Sequence, residues 1–476
     1  MITTLKFIAL AAALPIVLVG CASTNPRAAF NDVDKTVTAR TGQSVQWHND
    51  SSSNQIAMAI EPLLKTNLTA PAAVTIALLN NKSLRAEFEE IGISQADVAQ
   101  ASRLQNIEIG GSWRFPNRPP SAADIQYTAA GNLLDLLTLP AKKKVAARNL
   151  EQTKLKVADK VLQLAADVQA VFYDLQAQAE LGKRLDSIIE VNEAAADVAQ
   201  RQYDAGNINE LELQNQQAPA VQARRDLMKA KALMQAAREH LNRLLGLSGE
   251  QINWQIADEL PLLPEKELPL ENLESLAVSQ RLDLAASRSQ AEAIAAALRL
   301  KKKTRFIPGV KLGVDTERSP DGQRVTGPTL DLELPIFDQG QPAVAKLTAE
   351  FNQAKDNYAA REINVRSEVR ESREALLAAR EAVEFGQKNL LPLRQKILGE
   401  TLRHYNAMQK SSYELLAAKE REQMAEQGGI EALRDYWLAR VELERALGGR
   451  LGGDVSPASA PMKMNPTPTE EQHNNH

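Results

Sequence analysis

The sequence predicts a mainly α-helical fold that carries a membrane β-barrel, built from two copies of a helix–strand–strand–helix unit. Aromatic residues make up only 4% of the 476 residues, while Ala, Leu, Glu, Gln and Arg dominate, a composition typical of long helices. Short stretches alternate apolar and polar residues with the period of a β-strand. Landmarks of the first half recur in the second half, which indicates a duplication.

Composition and motifs exclude several classes of function. The net charge of −4 and the pI near 5.9 argue against a nucleic-acid partner. No nucleophile elbow, P-loop, zinc-protease motif or dinucleotide fingerprint occurs, so we expect no enzymatic activity and no cofactor. Beyond the first twenty residues no apolar run is long enough for a transmembrane helix, so insertion would be by strands or by lipid.

Residues 1–20 have the pattern of a signal peptide. Lys6 precedes an apolar run from Phe7 to Val19, and the single cysteine follows at Cys21. The segment Leu18-Val19-Gly20-Cys21 resembles the bacterial lipobox, which implies that Cys21 is diacylated and becomes the mature N-terminus. The alternative is an ordinary secretory signal with a chance cysteine. Ala22 is compatible with an outer-membrane destination, and two acyl chains suffice for stable anchoring.

The first repeat is predicted at 68–249, after a lipid tether and N-terminal segment at 21–67. Thr69 is a plausible N-cap for its first helix. Strands are predicted at about 107–115 and 125–134, and Pro140 is expected to end the second strand and to start a helix of about sixty residues. That helix turns at 203–208 and returns to Leu245.

The second repeat is predicted at 271–449, after a connector at 250–270. Its strands are expected at about 309–317 and 328–336, where Leu330, Leu332 and Leu334 alternate with charged residues. Pro335 is expected to stop the last strand, because proline cannot donate to a sheet ladder. A long helix then runs to about Tyr405 and returns to Leu447, and residues 450–476 are predicted to be a disordered tail.

The repeat can be checked by position. Residues 403–407 follow the similar residues 201–205 by 202 positions, and 445–448 follow 243–246 by the same interval. Leu334-Pro335 follow Leu139-Pro140 by only 195 positions, which indicates hairpins of different length.

The predicted strands need a partner. Their open edges would leave unpaired N–H and C=O groups in hydrocarbon, and the smallest barrels have eight strands, so further copies of the chain must complete the sheet. The alternative is a pair of soluble hairpins that pack on the helices. Strand alternation assigns six charged residues to the barrel lumen, which leans acidic and would favour cations: Glu108, Arg114, Lys311, Asp315, Asp331 and Glu333.

Several short motifs together resemble the TolC-type outer-membrane factor family of Gram-negative bacteria over about residues 68–448. They are Ala77-Leu78-Leu79-Asn80-Asn81, the 205–208 turn, Leu241 to Gly246, Arg281 to Leu284, and Leu334 to Phe337. The resemblance implies a homotrimer with one twelve-stranded barrel in the outer membrane, four strands coming from each chain. It also implies a long α-helical coiled-coil tunnel in the periplasm, which docks an adaptor (membrane fusion) protein and an inner-membrane pump.

By the same resemblance, the two helix turns are the periplasmic tip that docks the adaptor and gates the entrance. The first turn contributes Arg201, Tyr203, Ala205, Gly206, Asn207 and Ile208, and the second contributes Arg403, Tyr405, Ala407, Met408 and Gln409. The alternative is a solvated helix end. Met408 stands where the first turn has Gly206, which leaves open whether both turns close in the same way.

The function these observations favour is a passive exit duct of a tripartite efflux system, with small molecules, drugs or metal ions as cargo. The alternatives are a periplasmic adaptor lipoprotein and a structural coiled-coil lipoprotein. Two lysine runs, 142–144 and 301–303, are either lipid contacts or solvated helix ends. We expect no metal site, although the tail carries Met462, Met464, His473 and His476.

Overall fold

The computed structural model of the protein describes residues 23–47, 53–119, 122–257, 259–267, 270–307 and 309–450. The helices are α1 (Arg27–Thr41), α2 (Ser53–Lys65), α3 (Ala70–Asn80), α4 (Lys82–Ala101), α5 (Leu133–Asp204), α6 (Glu210–Leu245), α7 (Leu273–Gln280), α8 (Leu282–Thr304), α9 (Gln341–Phe385), α10 (Leu391–Asn406) and α11 (Ser412–Leu447). The strands are β1 (Glu108–Arg114), β2 (Asp124–Asn132), β3 (Val310–Arg318) and β4 (Arg324–Leu332). A short 3₁₀ helix lies at Gly249–Ile252, and a π-helical segment at Gly386–Leu390 joins α9 to α10.

The chain divides into two compact units. Unit 1 comprises residues up to Asp32 together with 88–157 and 283–361, and it contains the sheet. Unit 2 comprises 33–87, 158–282 and the residues from Glu362 onward. None of the helices within the described ranges combines the length and the apolar character needed to cross a membrane.

The sheet of unit 1 is antiparallel with the strand order β1-β2-β3-β4. Its central pair joins the two repeats, with Thr128 opposite Asp315 and Ala129 opposite Val314. The second hairpin closes through Ser319, whose N–H donates to the carbonyl of Gln323 and whose carbonyl accepts from Gly322 at the same distance of 2.9 Å. Gly322 has a φ of +90°, a conformation that side chains disfavour, so a glycine suits this turn.

The prediction that Pro140 ends the second strand and starts the helix is wrong. β2 ends at Asn132, α5 begins at Leu133, and Pro140 lies inside α5. The side-chain oxygen of Asn132 accepts a hydrogen bond from the backbone N–H of Leu134 at 3.0 Å, and Asp135 lies in the first helical turn. Both residue types favour a helix start, so these side chains, rather than the proline, set the boundary.

The end of the last strand also differs from the expectation. β4 spans Arg324–Leu332, whereas the sequence suggested 328–336 with Pro335 as the stop. Pro328 lies within β4, which is an edge strand in this chain and therefore tolerates a missing N–H. Pairing continues for one residue, since Glu333 donates to the carbonyl of Gly309 at 3.1 Å, and it ends before Pro335. The two prolines therefore do not mark equivalent boundaries.

The helices of unit 2 pack along seams of coiled-coil spacing. Val161, Val168 and Leu175 of α5 are seven residues apart and all buried, as the heptad pattern predicts. On α9, Val369, Leu376 and Val383 repeat the same interval, and they pack in a cluster with Tyr436 and Leu443 of α11. These seams bury the apolar stripe of each helix, which is the main source of helix stability in a protein.

Two motifs that are distant in the sequence meet at the end of α6. The side-chain amide of Asn80 donates to the carbonyls of Leu245 and Gly246 at 3.0 and 2.7 Å, and Asn81 donates to Leu244 at 2.8 Å. These bonds satisfy carbonyls that a helix end leaves unpaired. Gly246 has a φ of +68°, and a Cβ there would lie 2.8 Å from the carbonyl oxygen of Asn80.

The second repeat packs in the same way at the end of α11. Gly448 has a φ of +79°, and a Cβ there would lie 3.2 Å from the Cα of Arg281. Arg281 also donates to the carbonyl of Ala446 at 3.4 Å. The duplication therefore extends from sequence landmarks to packing: each return helix ends on a glycine that lies against the start of its repeat.

The N-terminal segment and the connector are ordered by specific contacts. α1 and α2 occupy much of the predicted tether, and Phe30 packs edge-on against Phe88 with ring centroids 5.1 Å apart. In the connector, Glu267 accepts hydrogen bonds from Arg380 and from the hydroxyl of Tyr436, both at 2.9 Å. Because both partners lie in unit 2, these bonds fix the connector to α9 and α11.

Candidate functional site

The sheet of unit 1 separates polar from apolar side chains. Directly opposed residues in antiparallel strands lie on the same face. Lys311 therefore shares a face with Asn132 and Asp331, while Leu312 shares the other face with Leu330. Five of the six residues predicted to line the lumen lie on this polar face: Glu108, Arg114, Lys311, Asp315 and Asp331. The sixth, Glu333, lies one residue beyond β4.

Charges on the polar face are tied together across strands. Lys311 forms an ion pair with Glu108 at 2.6 Å, so its charge is offset by a neighbouring carboxylate. Gln126 donates to Asp315 at 2.8 Å and accepts from Arg114 at 3.2 Å. Gln126 was not among the predicted site residues, although the alternation that selects Glu108 and Arg114 places it on the same face. The polar face thus carries a cross-strand network rather than isolated charges.

The opposite face is apolar and open to solvent. Trp113 and Tyr127 pack edge-on there with ring centroids 5.8 Å apart. Seven large side chains of this face are each at least 48% exposed: Ile109, Trp113, Tyr127, Leu312, Val314, Leu330 and Leu332. An exposed apolar patch of this size is typical of a membrane or protein contact. The sheet also has two open edges in this chain, β1 and β4.

The first helix turn, between α5 and α6, closes through three backbone hydrogen bonds. Ala205 donates to Arg201 at 3.1 Å, and Gly206 donates to Tyr203 at 2.8 Å. Asn207 donates to the carbonyl of Gln202 at 2.8 Å, and Gly206 adopts a φ of +74°. This pattern is that of a helix C-terminus ended by a left-handed residue. Asn209 then caps α6 by accepting from Glu212.

The second turn, between α10 and α11, closes with the same bonds. Ala407 donates to Arg403 at 3.1 Å, Met408 donates to Tyr405 at 2.9 Å, and Gln409 donates to the carbonyl of His404 at 2.8 Å. Met408 adopts a φ of +58°. The question that the sequence left open is thereby answered, since methionine takes the left-handed conformation in place of glycine. Its side chain is 94% exposed.

Most of the predicted tip residues lie at the surface of these two turns. All eleven except Ile208 are exposed, and Arg403 forms an ion pair with Glu400 at 2.7 Å. The structure adds a residue that the sequence analysis missed, Tyr413, whose hydroxyl donates to the side chain of Gln202 at 2.7 Å. Burial, followed by the charge of Glu212, raises the pKa of the Tyr413 hydroxyl.

The remaining predictions concern the lipid site and metals. Cys21 lies outside the described residues, as do residues 451–476 of the tail. Within the described ranges, no group of three or more His, Cys, Asp and Glu side chains is arranged to hold a metal ion.

Comparison with known proteins identifies the family. The family described as outer membrane efflux protein matches residues 73–247 and 273–449, which are the two repeats. The chain belongs to the outer membrane efflux protein family. This is a family of efflux ducts of the outer membrane, not of enzymes.

One known protein is similar over most of the chain. The cobalt-zinc-cadmium resistance protein CzcC of Cupriavidus metallidurans is 22% identical over 386 residues, covering 80% of this chain and 90% of CzcC.

Solved structures share the fold. CusC, described in a study of folding and transmembrane channel formation, has a TM-score of 0.67 at 18% identity, covering 81% of this chain and 93% of CusC. The outer membrane protein VceC of Vibrio cholerae has a TM-score of 0.67 at 14% identity, covering 80% and 96%. The MtrE outer membrane channel of Neisseria gonorrhoeae, in its open state, has a TM-score of 0.62 at 18% identity, covering 80% and 89%. The predicted fold class, a membrane barrel with a helical tunnel, is confirmed by this likeness.

Proposed function

We propose that three copies of this chain form one exit duct of a tripartite efflux system. The observation that carries the proposal is the sheet of unit 1, which has one polar face, one exposed apolar face and two open edges. In a bilayer the open edges of β1 and β4 would leave backbone groups unpaired at several kcal/mol each. Pairing β4 of one copy with β1 of the next removes both edges.

The count of three rests on the resemblance of the sequence to TolC-type proteins. Four strands from each of three copies give a closed twelve-stranded barrel, within the range known for outer-membrane barrels. The polar faces then line one water-filled lumen, and the apolar faces meet lipid. The long helices of the two repeats continue as a coiled-coil tunnel in the periplasm.

The tip turns are the proposed contact for an adaptor protein. Both turns are exposed and built on the same hydrogen bonds, so they present two similar surfaces to a partner. An inner-membrane pump would supply the driving energy, because the chain carries no motif for nucleotide or redox chemistry. The duct itself is passive and is not an enzyme. Rearrangement at the two turns would open its periplasmic end.

Lipidation at Cys21 is the proposed second attachment to the outer membrane. The sequence carries the lipobox-like segment and a single cysteine. The carbonyl of Ser23, two residues later, accepts a hydrogen bond from Gln95 of α4 at 2.9 Å, so the chain is held by unit 1 close to the modified position. Two acyl chains in addition to the barrel would anchor the protein stably.

The proposed cargo is small molecules, drugs or metal ions, and metal cations are favoured on two grounds. The polar face of the sheet leans acidic, and its charges attract cations. The relative CzcC is named for cobalt, zinc and cadmium resistance. A passive duct selects weakly, so the identity of the pump would determine what is exported.

Planar-bilayer recording tests the proposed function. Purified protein of the full chain is expected to form discrete conducting steps in a bilayer, with a cation preference. A preparation that is folded by circular dichroism yet forms no pores would contradict the channel. That result would favour instead an adaptor lipoprotein or a structural coiled-coil lipoprotein.

A further inference from the structure

Two lysine runs of unit 1 flank the sheet at the ends of its helices. The run 142–144 lies in α5 soon after β2, and the run 301–303 forms the last turn of α8 shortly before β3. Lys142 and Lys301 line the same cleft, together with Thr304 and Asn149. The two runs, which come from different repeats, therefore lie side by side on one part of unit 1. We call residues 142–144, 301–303 and Arg305 the basic belt.

Among the residues that the structure describes, most of the belt's charge has no acidic partner. Lys142 is the exception, since its ammonium group lies 2.5 Å from the carboxylate of Asp135. Within the described ranges, the other five lysines have no carboxylate partner within 4.0 Å. Asp97 also lines the cleft, so one acidic group faces the basic belt. The belt still presents an excess of positive charge to its surroundings.

An exposed apolar ledge lies between the sheet and the belt. Phe306 and Ile307 directly follow α8 and are 53% and 50% exposed, and the guanidinium of Arg305 lies 4.3 Å from the centre of the Phe306 ring. The segment after β4 contributes three further exposed apolar residues: Leu334, Ile336 and Phe337. This segment runs beside the end of α8, because a Cβ on Gly340 would lie 2.9 Å from the Cβ of Arg305.

The order of these surfaces matches the order of groups in a lipid leaflet. Going back along the chain from β3 into α8, the strand with its apolar face comes first, the apolar residues 306–307 follow, and the positive charges come last. Acyl chains, the acyl–headgroup boundary and phosphate groups occur in the same order. Lysines next to a membrane surface attract anionic lipid.

We propose that the basic belt binds the phosphate groups of anionic phospholipid in the leaflet that faces the periplasm. The cleft, of about 560 Å³, has walls of Val145, Ala297 and Leu300 below its lysine rim. It would accept one phospholipid headgroup, with the lysines on the phosphate and the apolar walls along the first acyl carbons. The proposal rests on the insertion of the sheet into a membrane, as proposed above. The belt would fix the depth of the barrel and select its neighbouring lipids.

The test measures lipid selection by the intact protein. Purified protein in detergent is mixed with phosphatidylglycerol, phosphatidylethanolamine or phosphatidylcholine, and retained lipid is counted by native mass spectrometry. The wild type is expected to retain phosphatidylglycerol preferentially, and added salt should weaken this retention. The variant Lys143→Gln/Lys144→Gln/Lys302→Gln/Lys303→Gln should lose at least about tenfold of that affinity. It leaves the Lys142–Asp135 pair intact.

A matched control carries the same number of neutralised lysines elsewhere, at exposed positions of unit 2: Lys229→Gln, Lys231→Gln, Lys266→Gln and Lys396→Gln. This control should retain phosphatidylglycerol like the wild type. Equal retention of all three lipids by the wild type, or equal losses in both variants, would overturn the proposal. A wild type that conducts in bilayers but shows no lipid preference refutes the belt alone, whereas a wild type that forms no pores refutes the proposed function.

Discussion

The hydroxyl of Tyr413 donates a hydrogen bond to the side-chain oxygen of Gln202 across 2.7 Å, and this bond joins the two hairpins behind their turns. Tyr413 lies in the first turn of α11 and Gln202 near the end of α5. If the turns rearrange to open the duct, this bond is positioned to resist the movement.

Tyr413→Phe should therefore favour the open state of the duct's periplasmic end. A hydrogen bond of this kind contributes about 0.5–1.5 kcal/mol, so its loss should raise open probability about two- to tenfold. Single-channel recording in planar bilayers measures the change. Tyr405→Phe is the control, because no hydrogen bond of the Tyr405 hydroxyl occurs within the described ranges. Equal effects of the two substitutions would show that the Tyr413–Gln202 bond has no special role.

Gly246→Ala should destabilise unit 2. The residue has a φ of +68°, and a new Cβ would lie 2.8 Å from the carbonyl oxygen of Asn80. The left-handed conformation alone costs about 1–2 kcal/mol for a residue with a side chain. Thermal unfolding followed by circular dichroism should show a clearly lower midpoint.

The matched control is Gly182→Ala, within α5. No atom lies within 4 Å of a Cβ at that position, so alanine should be neutral or stabilise by about 0.5–1 kcal/mol. A Gly246→Ala variant as stable as Gly182→Ala would contradict the close packing of the α6 end against α3.

Met408→Gly should stabilise the second turn. Methionine at a φ of +58° is strained, and glycine takes that conformation freely. Hydrogen exchange of the Gln409 amide, which donates to His404, should slow about threefold or more.

The control is Met424→Gly, at an exposed position within α11. It should instead lower the free energy of unfolding by about 1 kcal/mol, because glycine weakens a helix interior. Faster exchange in Met408→Gly would argue against the left-handed turn.

Asp315→Lys combined with Asp331→Lys should reverse or abolish the cation preference of the duct. Both carboxylates lie on the polar face of the sheet, and Asp331 lies directly opposite Lys311. Reversal potentials in a salt gradient measure the preference, and the neutral variant Asp315→Asn/Asp331→Asn should give an intermediate value. An unchanged preference in the reversed variant would place these residues away from the conduction path.

Local patterns predicted much of the architecture, because they depend only on neighbouring residues. The alternation at 108–114 and 310–318 fixes which side chains share a face, and the heptad spacing of Val161, Val168 and Leu175 predicts a buried seam. The predicted ends of helices and strands were less accurate, because side chains other than the prolines set them. Asn132 caps the start of α5, so Pro140 lies inside the helix, and the last strand ends before Pro335.

Contacts between distant segments could not be predicted. Gln202 and Tyr413 are 211 residues apart, and neither belongs to a motif that indicates the other. The bonds from Asn80 and Asn81 to the end of α6 likewise connect two motifs that the sequence shows only separately. Only the backbone angles of the structure reveal that the two turns close alike, since methionine gives no sequence signal for a left-handed conformation.

The central claim is that separate copies of the chain pool their strands into one barrel, and cysteine cross-linking between the sheet edges tests it most directly. Cysteines are placed pairwise on β1 at Ile109 or Trp113 and on β4 at Thr326 or Leu330, all on the apolar face. Cysteines at Tyr127 and Thr316, which face each other across β2 and β3, are the control within one chain. Disulfides form only between Cα atoms about 4.4–6.8 Å apart. We expect at least one β1–β4 pair to give covalent dimers and trimers on oxidation, with no larger species. Efficient bonding of the control pair without any link between copies would contradict the shared barrel.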